Sequence, residues 1–275
     1  MRTAIRKQIE NSISELAGRI YDMDADISLP LPLCIIRQGE ETAEYPWNGY
    51  RCYFEVILYG SGFAKVDQLS EQIIEALHEK VLVFDTGNSL TCRYTGNPGG
   101  DMVNVGRTGA SRTLRFAAMK QLAYEKPDQE PFWLAGLQEW TQETAGDEWT
   151  VYTGWWPTGY IRPCILWRLS GSELVMTNTS VLDVDNRLSV HVIGRSPEEE
   201  QSMVNTLIEA IGRQVKLPLD ASHQHHYLVK ECATNLEADR IASGQISVVL
   251  RMKTSKKVEA KPLMNNIHYS EEPKY

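Results

Sequence analysis

The 275-residue chain is 42% hydrophobic and 23% charged, a balance that excludes a disordered or low-complexity polymer and fits one large domain or two of ordinary size. Its 36 acidic against 28 basic side chains give a net charge of -8, which excludes general attraction to nucleic-acid phosphates unless a local basic patch supplies it. No apolar run approaches the roughly 18 to 20 residues of a membrane span, and the start, Met1-Arg2-Thr3-Ala4-Ile5, opens a polar amphipathic segment rather than a signal peptide, so the chain is expected in the cytosol.

Ile5, Ile9, Ile13, Leu16 and Ile20 recur every three or four residues and predict one face of an N-terminal helix. Pro32-Leu33-Cys34-Ile35-Ile36-Arg37 follows, a proline ahead of a continuous apolar run, as in a buried strand. Then Cys52, Phe54, Val56 and Leu58 alternate with Tyr53, Glu55, Ile57 and Tyr59, which predicts a strand with two unlike faces. The turn Gly60-Ser61-Gly62 leads into a helix ending in Ile73-Ile74-Glu75-Ala76-Leu77. A strand around Leu90 to Tyr94 and a last one carrying Leu114, Phe116 and Ala118 complete the set.

The same order returns further along the chain. Trp133, Leu137 and Trp140 open it at an offset of 128 from Ile5 and Ile9, and Pro163-Cys164-Ile165-Leu166-Trp167-Arg168 repeats the proline-to-arginine strand at 131. Leu188, Val190 and Val192 alternate from Arg187 as the earlier strand does from Arg51, at 136. Ser196-Pro197-Glu198-Glu199-Glu200 has the N-cap serine, first-turn proline and acidic residues of a helix start, and Leu207-Ile208-Glu209-Ala210-Ile211 matches the earlier helix end at 134. A strand around Tyr227 to Cys232 and one with Ile246, Val248 and Leu250, at 132, close the second set.

These readings predict an α+β protein of two tandem α-β-β-α-β-β units, each with helices on a mostly antiparallel sheet. The boundaries are 1–123 for the first unit, 124–131 for a linker rich in polar residues and proline, 132–253 for a divergent second copy, and 254–275 for a polar C-terminal arm. One larger domain with a similar rhythm is the alternative. The arm is either disordered or laid on a neighbouring subunit.

Cys34, Cys52, Cys92, Cys164 and Cys232 are odd in number and widely spaced, and four fall in predicted strands. They are read as reduced core residues, since no C-x-x-C pair starts a zinc site. His223-Gln224-His225-His226 places three imidazoles in four positions, but with Asp220 as the only carboxylate nearby the expected outcome is an exposed loop. Gly96, Gly99, Gly100, Gly106 and Gly109 do not form a phosphate cradle, because the lysine is missing and a strand follows. They predict a long loop, Thr95 to Ser111, and its candidate contact residues are Asn97, Gly100, Asp101, Arg107 and Arg112. Trp155-Trp156 with Tyr152 and Tyr160 are expected to fill a gap between domains or subunits rather than to stack on a ligand. Hydrolase, zinc-protease and triad signatures are missing, Asp183 and Asp185 read as a solvated turn, and no catalytic, cofactor or metal residue is assigned.

The order of N-terminal helix, Pro-apolar-Arg strand, Trp47-Asn48-Gly49 approach to an alternating strand, Leu69-to-Leu77 helix and two final strands resembles the tail terminator, or tail completion, proteins of tailed bacteriophages and related contractile particles. The resemblance covers residues 1 to 120 well and 132 to 253 more weakly. It implies a structural virion protein, not an enzyme, whose ring caps the tail tube and joins it to the neck or connector. The implied partners are the chain itself as a homo-oligomeric ring, a hexamer ahead of a trimer, the tail tube protein and the connector protein, with no membrane and no specific nucleic acid. The alternative reading is an enzyme or a small-ligand or metal-binding protein with its site between two pseudo-equivalent domains.

Overall fold

The computed structural model describes residues 1–24, 29–45, 49–103, 109–121, 132–177, 181–214, 216–218 and 226–255. In chain order the first half has α1 (Arg2–Ser12), a 3-10 turn (Ser14–Leu16), β1 (Ile20–Asp22), β2 (Leu33–Tyr45), β3 (Gly49–Gly60) and α2 (Phe63–Leu77). It continues with β4 (Val81–Val83), β5 (Ser89–Gly96), β6 (Asp101–Val103) and β7 (Ala110–Gln121). The second half has α3 (Phe132–Ala145), β8 (Thr150–Thr153), β9 (Cys164–Thr177), β10 (Val181–Ile193), α4 (Pro197–Arg213), β11 (Lys216–Pro218), β12 (His226–Thr234) and β13 (Ile246–Ser255).

The strands form two mixed sheets with one plan. The first runs β1-β2-β3-β7-β5-β4 with β6 added beside β7, and the second runs β8-β9-β10-β13-β12-β11. In each, the pair at one edge is parallel, β1 with β2 and β8 with β9, and the rest are antiparallel. A cis peptide precedes Pro32 and Pro163, each the last residue before its strand.

The registers agree residue by residue. Ile20 pairs with Cys34 and Cys34 with Leu58; Val151 pairs with Ile165 and Ile165 with Val192. Val56 pairs with Leu114 as Val190 pairs with Ile246. β2 bulges between Gln38 and Glu41 and again between Ala43 and Tyr45, while β9 bulges between Leu169 and Gly171 and between Leu174 and Met176. With β2 set on β9 at an offset of 131, both bulges fall at the same places. A bulge re-aims and twists a strand, and two chance bulges have no reason to coincide.

Each half buries a core between its sheet and its helices. Val66, Leu69, Ile73 and Leu77 of α2 recur at helical spacing and meet Ile5 and Ile9 of α1 and the inward residues Cys52, Phe54, Val56 and Leu58 of β3. Phe54 and Phe116, paired across β3 and β7, stack with ring centroids 5.1 Å apart. In the second half Met203, Val204, Leu207 and Ile211 of α4 occupy the positions of Leu69, Ser70, Ile73 and Leu77, over Leu188, Val190 and Val192. Ser196 caps α4 by accepting from the Glu199 amide at 3.3 Å, with Pro197 opening the helix and Glu198, Glu199 and Glu200 in its first turn. Trp167 of β9 donates its indole N–H to Thr141 Oγ1 at 2.8 Å, tying sheet to α3 inside the core.

Several expectations are corrected. The unit is longer than α-β-β-α-β-β, because a short strand precedes the proline strand and another follows the second helix in each half. The N-terminal stripe does not stay helical: α1 ends at Ser12, Leu16 lies in the 3-10 turn and Ile20 in β1, although all five residues are buried. The alternating strands correspond at 134, not 136. Cys34, Cys52, Cys92 and Cys164 are buried free thiols, whereas Cys232 is exposed on β12. β13 continues to Ser255, where an arm was expected from 254; residues 256–275, the linker 124–131 and the Trp133 side chain lie outside what is described.

Gly60 and Gly194 hold the same position, where β3 and β10 turn into a helix. A Cβ on Gly194 would stand 2.8 Å from the Glu200 amide nitrogen, a backbone atom, while one on Gly60 would meet the Val66 side chain at 2.8 Å. Gly194→Ala is expected to lower unfolding free energy by about 1–3 kcal/mol, and Gly60→Ala by less, because a side chain yields more readily than backbone. Urea denaturation of the two variants checks the order.

Candidate functional site

The two sheets meet along a seam that the second half largely builds. The connection from β8 to β9 brings Trp156 and Tyr160 against Cys164, Leu166 and Ile193 on the back of the second sheet, with Ile241 and Ala242 from the β12–β13 connection and Met119 from β7. Trp156 is 1% exposed and donates its indole N–H to the Ile241 carbonyl at 3.0 Å, with its ring 4.7 Å from that of Tyr160. The gap-filling expectation for this aromatic cluster therefore holds for Trp156 and Tyr160.

Polar groups cross the seam in a closed network. The Tyr160 hydroxyl lies 3.0 Å from Thr91 Oγ1, and the Gly159 amide donates to Ser89 Oγ at 3.0 Å. Ser89 in turn donates to Gln121 Oε1 at 3.0 Å, and Gln121 Nε2 donates to Thr91 Oγ1 at 3.2 Å. Ser89, Thr91 and Gln121 are all buried, so these bonds satisfy groups that would otherwise be costly to hide.

Charges close one side. Glu79, held in the left-handed region at φ 58, places its carboxylate between the guanidinia of Arg240 and Arg162, and Arg240 also donates to Glu200 at 2.6 Å. Burial alone would raise the Glu79 carboxyl, but Arg240 and then Arg162 outweigh it and hold the group below the usual carboxylate range. Asp239 accepts from the Ile241 and Ala242 amides with one oxygen and from Arg93 at 2.8 Å with the other, which fixes the loop and pins it to β5. Two seam residues far apart in sequence, such as Glu79 and Arg240, carried no local signal, and sequence reasoning did not find them.

His191 sits behind Trp156, fully buried. Its Nδ1 lies 2.9 Å from the Arg240 carbonyl and its Nε2 is 3.3 Å from the donating Arg168 guanidinium. Those partners select the neutral tautomer with the proton on Nδ1. Burial pushes the ring down to about 4, and burial pushes the Cys164 thiol up to about 12, so neither is poised for proton transfer or nucleophilic attack near neutrality. Among the described residues no cluster of three or more His, Cys, Asp or Glu could hold a metal ion.

Of the loop residues singled out from sequence, three gather. Asp101 of β6 takes a two-pronged bond from Arg112 of β7, at 2.6 and 2.7 Å, and Arg112 reaches Asp67 of α2 at 2.6 Å. Hydrogen bonding from Arg112 holds Asp101 below the usual range, and Asn97 bonds to the same carboxylate. Gly100, at φ +62, makes the turn before β6. Arg107, like Gly106, His223 and His225, lies outside the described residues; His226 is exposed at the start of β12. β6 leaves Met102 and Val103 exposed.

A cavity of about 320 Å³ opens beside the seam, lined by Tyr53, Thr91, Arg93, Tyr94, Asp239 and Ile241 among others. Among the described residues neither Trp156 nor His226 lines it. Elsewhere the outer edges of β2 past Ile36 and of β9 past Trp167 have no strand partner among the described residues, and Leu169, Leu174 and Val175 are exposed there. No helix among the described residues is long and apolar enough to cross a membrane.

No protein-family model matches the chain, and no curated protein matches it. Among solved structures it is distantly similar to a chain of the virion of a native gene transfer agent particle. The two are 17% identical with a TM-score of 0.35, over 44% of this chain and 93% of that one.

Proposed function

We propose that the chain is a tandem duplication that serves as a structural virion protein, forming a ring that ends a phage tail tube and joins it to the head connector. It works through shape and contact rather than through bond chemistry. The observation that carries this reading is the repetition of one sheet, bulge for bulge, in both halves, with the residues between them spent on packing and ion pairs. The order of elements that resembles tail terminator proteins supports it from the sequence side. Long strands with open outer edges suit growth of an assembly, and bulges on both keep those edges from pairing indiscriminately.

In this reading Asn97, Gly100, Asp101, Arg107 and Arg112 belong to the loop that touches the tail tube, and assembly takes place in the host cytoplasm before the protein enters the virion. Six chains around the tube are favoured over three. Co-sedimentation with purified tail tubes tests the role. The chain is expected to bind tube ends and to stop further addition of tube protein; tubes that keep growing in its presence, with no chain bound, would overturn the reading. The second reading, a small-ligand site between the units, has the cavity beside Arg93 and Asp239 as its one support.

A further inference from the structure

The seam joins unlike surfaces of like units. The first half contributes Glu79, Val81, Ser89 and Thr91, from the α2–β4 turn, β4 and β5. The second contributes Gly159, Tyr160 and Arg240, from its two long connections, over the back of β9 and β10. A contact between different patches of two like bodies leaves the matching patch of each unused. Repeated, it closes a ring or runs on as a filament.

The unused patches are identified by register. Ten residues separate Asp22 from Leu33, and ten separate Thr153 from Cys164, so Leu29 stands where Tyr160 stands. Thr91 pairs with Val81 and Met119 as Leu228 pairs with Lys216 and Arg251, so Leu228 stands where Thr91 stands. By the same pairing His226 replaces Ser89. Burial then separates the used from the unused. Thr91 is 2% exposed, but Leu228 is 37% exposed, a large apolar residue on the surface. Ser89 is fully buried and His226 is exposed. Tyr160 is buried and Leu29 only half-buried, so an apolar side chain is open on each of the two patches. On the sheet back Leu166, His191 and Ile193 are fully buried, while their counterparts Ile35, Ile57 and Tyr59 are only half-buried.

We propose that the β11–β12 surface of the second half, centred on Leu228, docks on the first half of another copy at Leu29, Ile35 and Ile57. The contact that joins the halves within one chain is thereby repeated between chains, and each chain supplies two successive positions of the assembly. This rests on the assembly reading above and adds which surfaces meet.

Cross-linking tests it. In a Cys232→Ser background, which removes the exposed thiol, Leu29→Cys and Leu228→Cys are placed singly and together and treated with a short bismaleimide. The double variant is expected to give a ladder of linked chains, a mixture of the two single variants only linked dimers, and each single variant alone no product. Leu228→Lys is expected to weaken self-association by roughly tenfold or more without moving the unfolding midpoint measured at concentrations where both proteins are monomeric. Assembled particles that give no ladder, or a single variant that links to itself, would overturn this arrangement while leaving assembly standing. A chain that stays monomeric before any substitution would remove the assembly reading itself.

Discussion

Trp156→Ala is expected to lower the free energy of unfolding by about 3–5 kcal/mol, the range for deleting a large buried aromatic side chain. The indole is 1% exposed and packs among Tyr160, Cys164, Leu166, Ile193 and Ile241. Its removal opens a void that the two sheets cannot close without shifting against each other, and it also leaves the Ile241 carbonyl without its donor. Trp156→Phe separates the two effects: it keeps most of the packing and loses the hydrogen bond, so about 1–2 kcal/mol is expected. Urea denaturation of both variants measures this. A loss under about 1 kcal/mol for the alanine variant would mean that the seam is a loose contact and not a core, and the filled-gap account would fall.

The second large effect is a pH dependence carried by His191. In the unfolded chain the imidazole takes a proton near its ordinary 6.5, whereas in the folded protein it resists until about 4. Burial is the main cause, and the Arg168 guanidinium acts in the same direction; the Arg240 carbonyl and the Asp239 carboxylate oppose them. Protonating Nε2 would also set its new N–H against the donating N–H of Arg168. Because the folded value is depressed, the stabilisation is present above about 6.5 and is lost as the pH falls towards 4. The total is about 3 kcal/mol, at about 1.4 kcal/mol per unit. Below about 4.5 Glu79 adds a further loss, since its carboxylate must be protonated away from Arg240 and Arg162. His191→Asn keeps a donor for the Arg240 carbonyl and has no proton to gain, so its slope between pH 6.5 and 4.5 is expected to be much shallower, with what remains carried by His78, whose imidazole burial also holds below its ordinary value. An unchanged slope in that variant would show that another group carries the dependence.

Much of this architecture was written in the sequence, in features that repeat every two or every three to four residues. The inward faces of β3, β7, β10 and β13 were legible because each holds three or four alternating apolar residues. The α4 cap was legible because Ser196, Pro197 and three glutamates leave little choice. What escaped is what periodicity cannot encode. β1, β4 and β11 are three residues long, too short to show an alternation. The stripe from Ile5 to Ile20 ran on past the true helix end because a 3-10 turn and the first strand residue happened to keep a similar spacing. The two-residue error between the alternating strands was invisible, since a shift of two returns every side chain to the same face.

The candidate site divides in the same way. Asp101 and Arg112 could be picked from one loop because they lie 11 residues apart on adjacent strands. Glu79 and Arg240 are 161 residues apart, and nothing near either announces the other. Cys232 was placed in the core because it lies in a strand, but it is exposed although it pairs with the buried Val248. The bulges that make the two halves superpose most tellingly leave no mark in composition at all.

The central claim is that one chain presents two like units and assembles through them. Negative-stain imaging of the purified protein, with native mass measurement of the same sample, tests this most directly. Rings are predicted whose repeating densities number twice the chains counted by mass. A particle that remains a single chain at every concentration, or a ring with one density per chain, would contradict it.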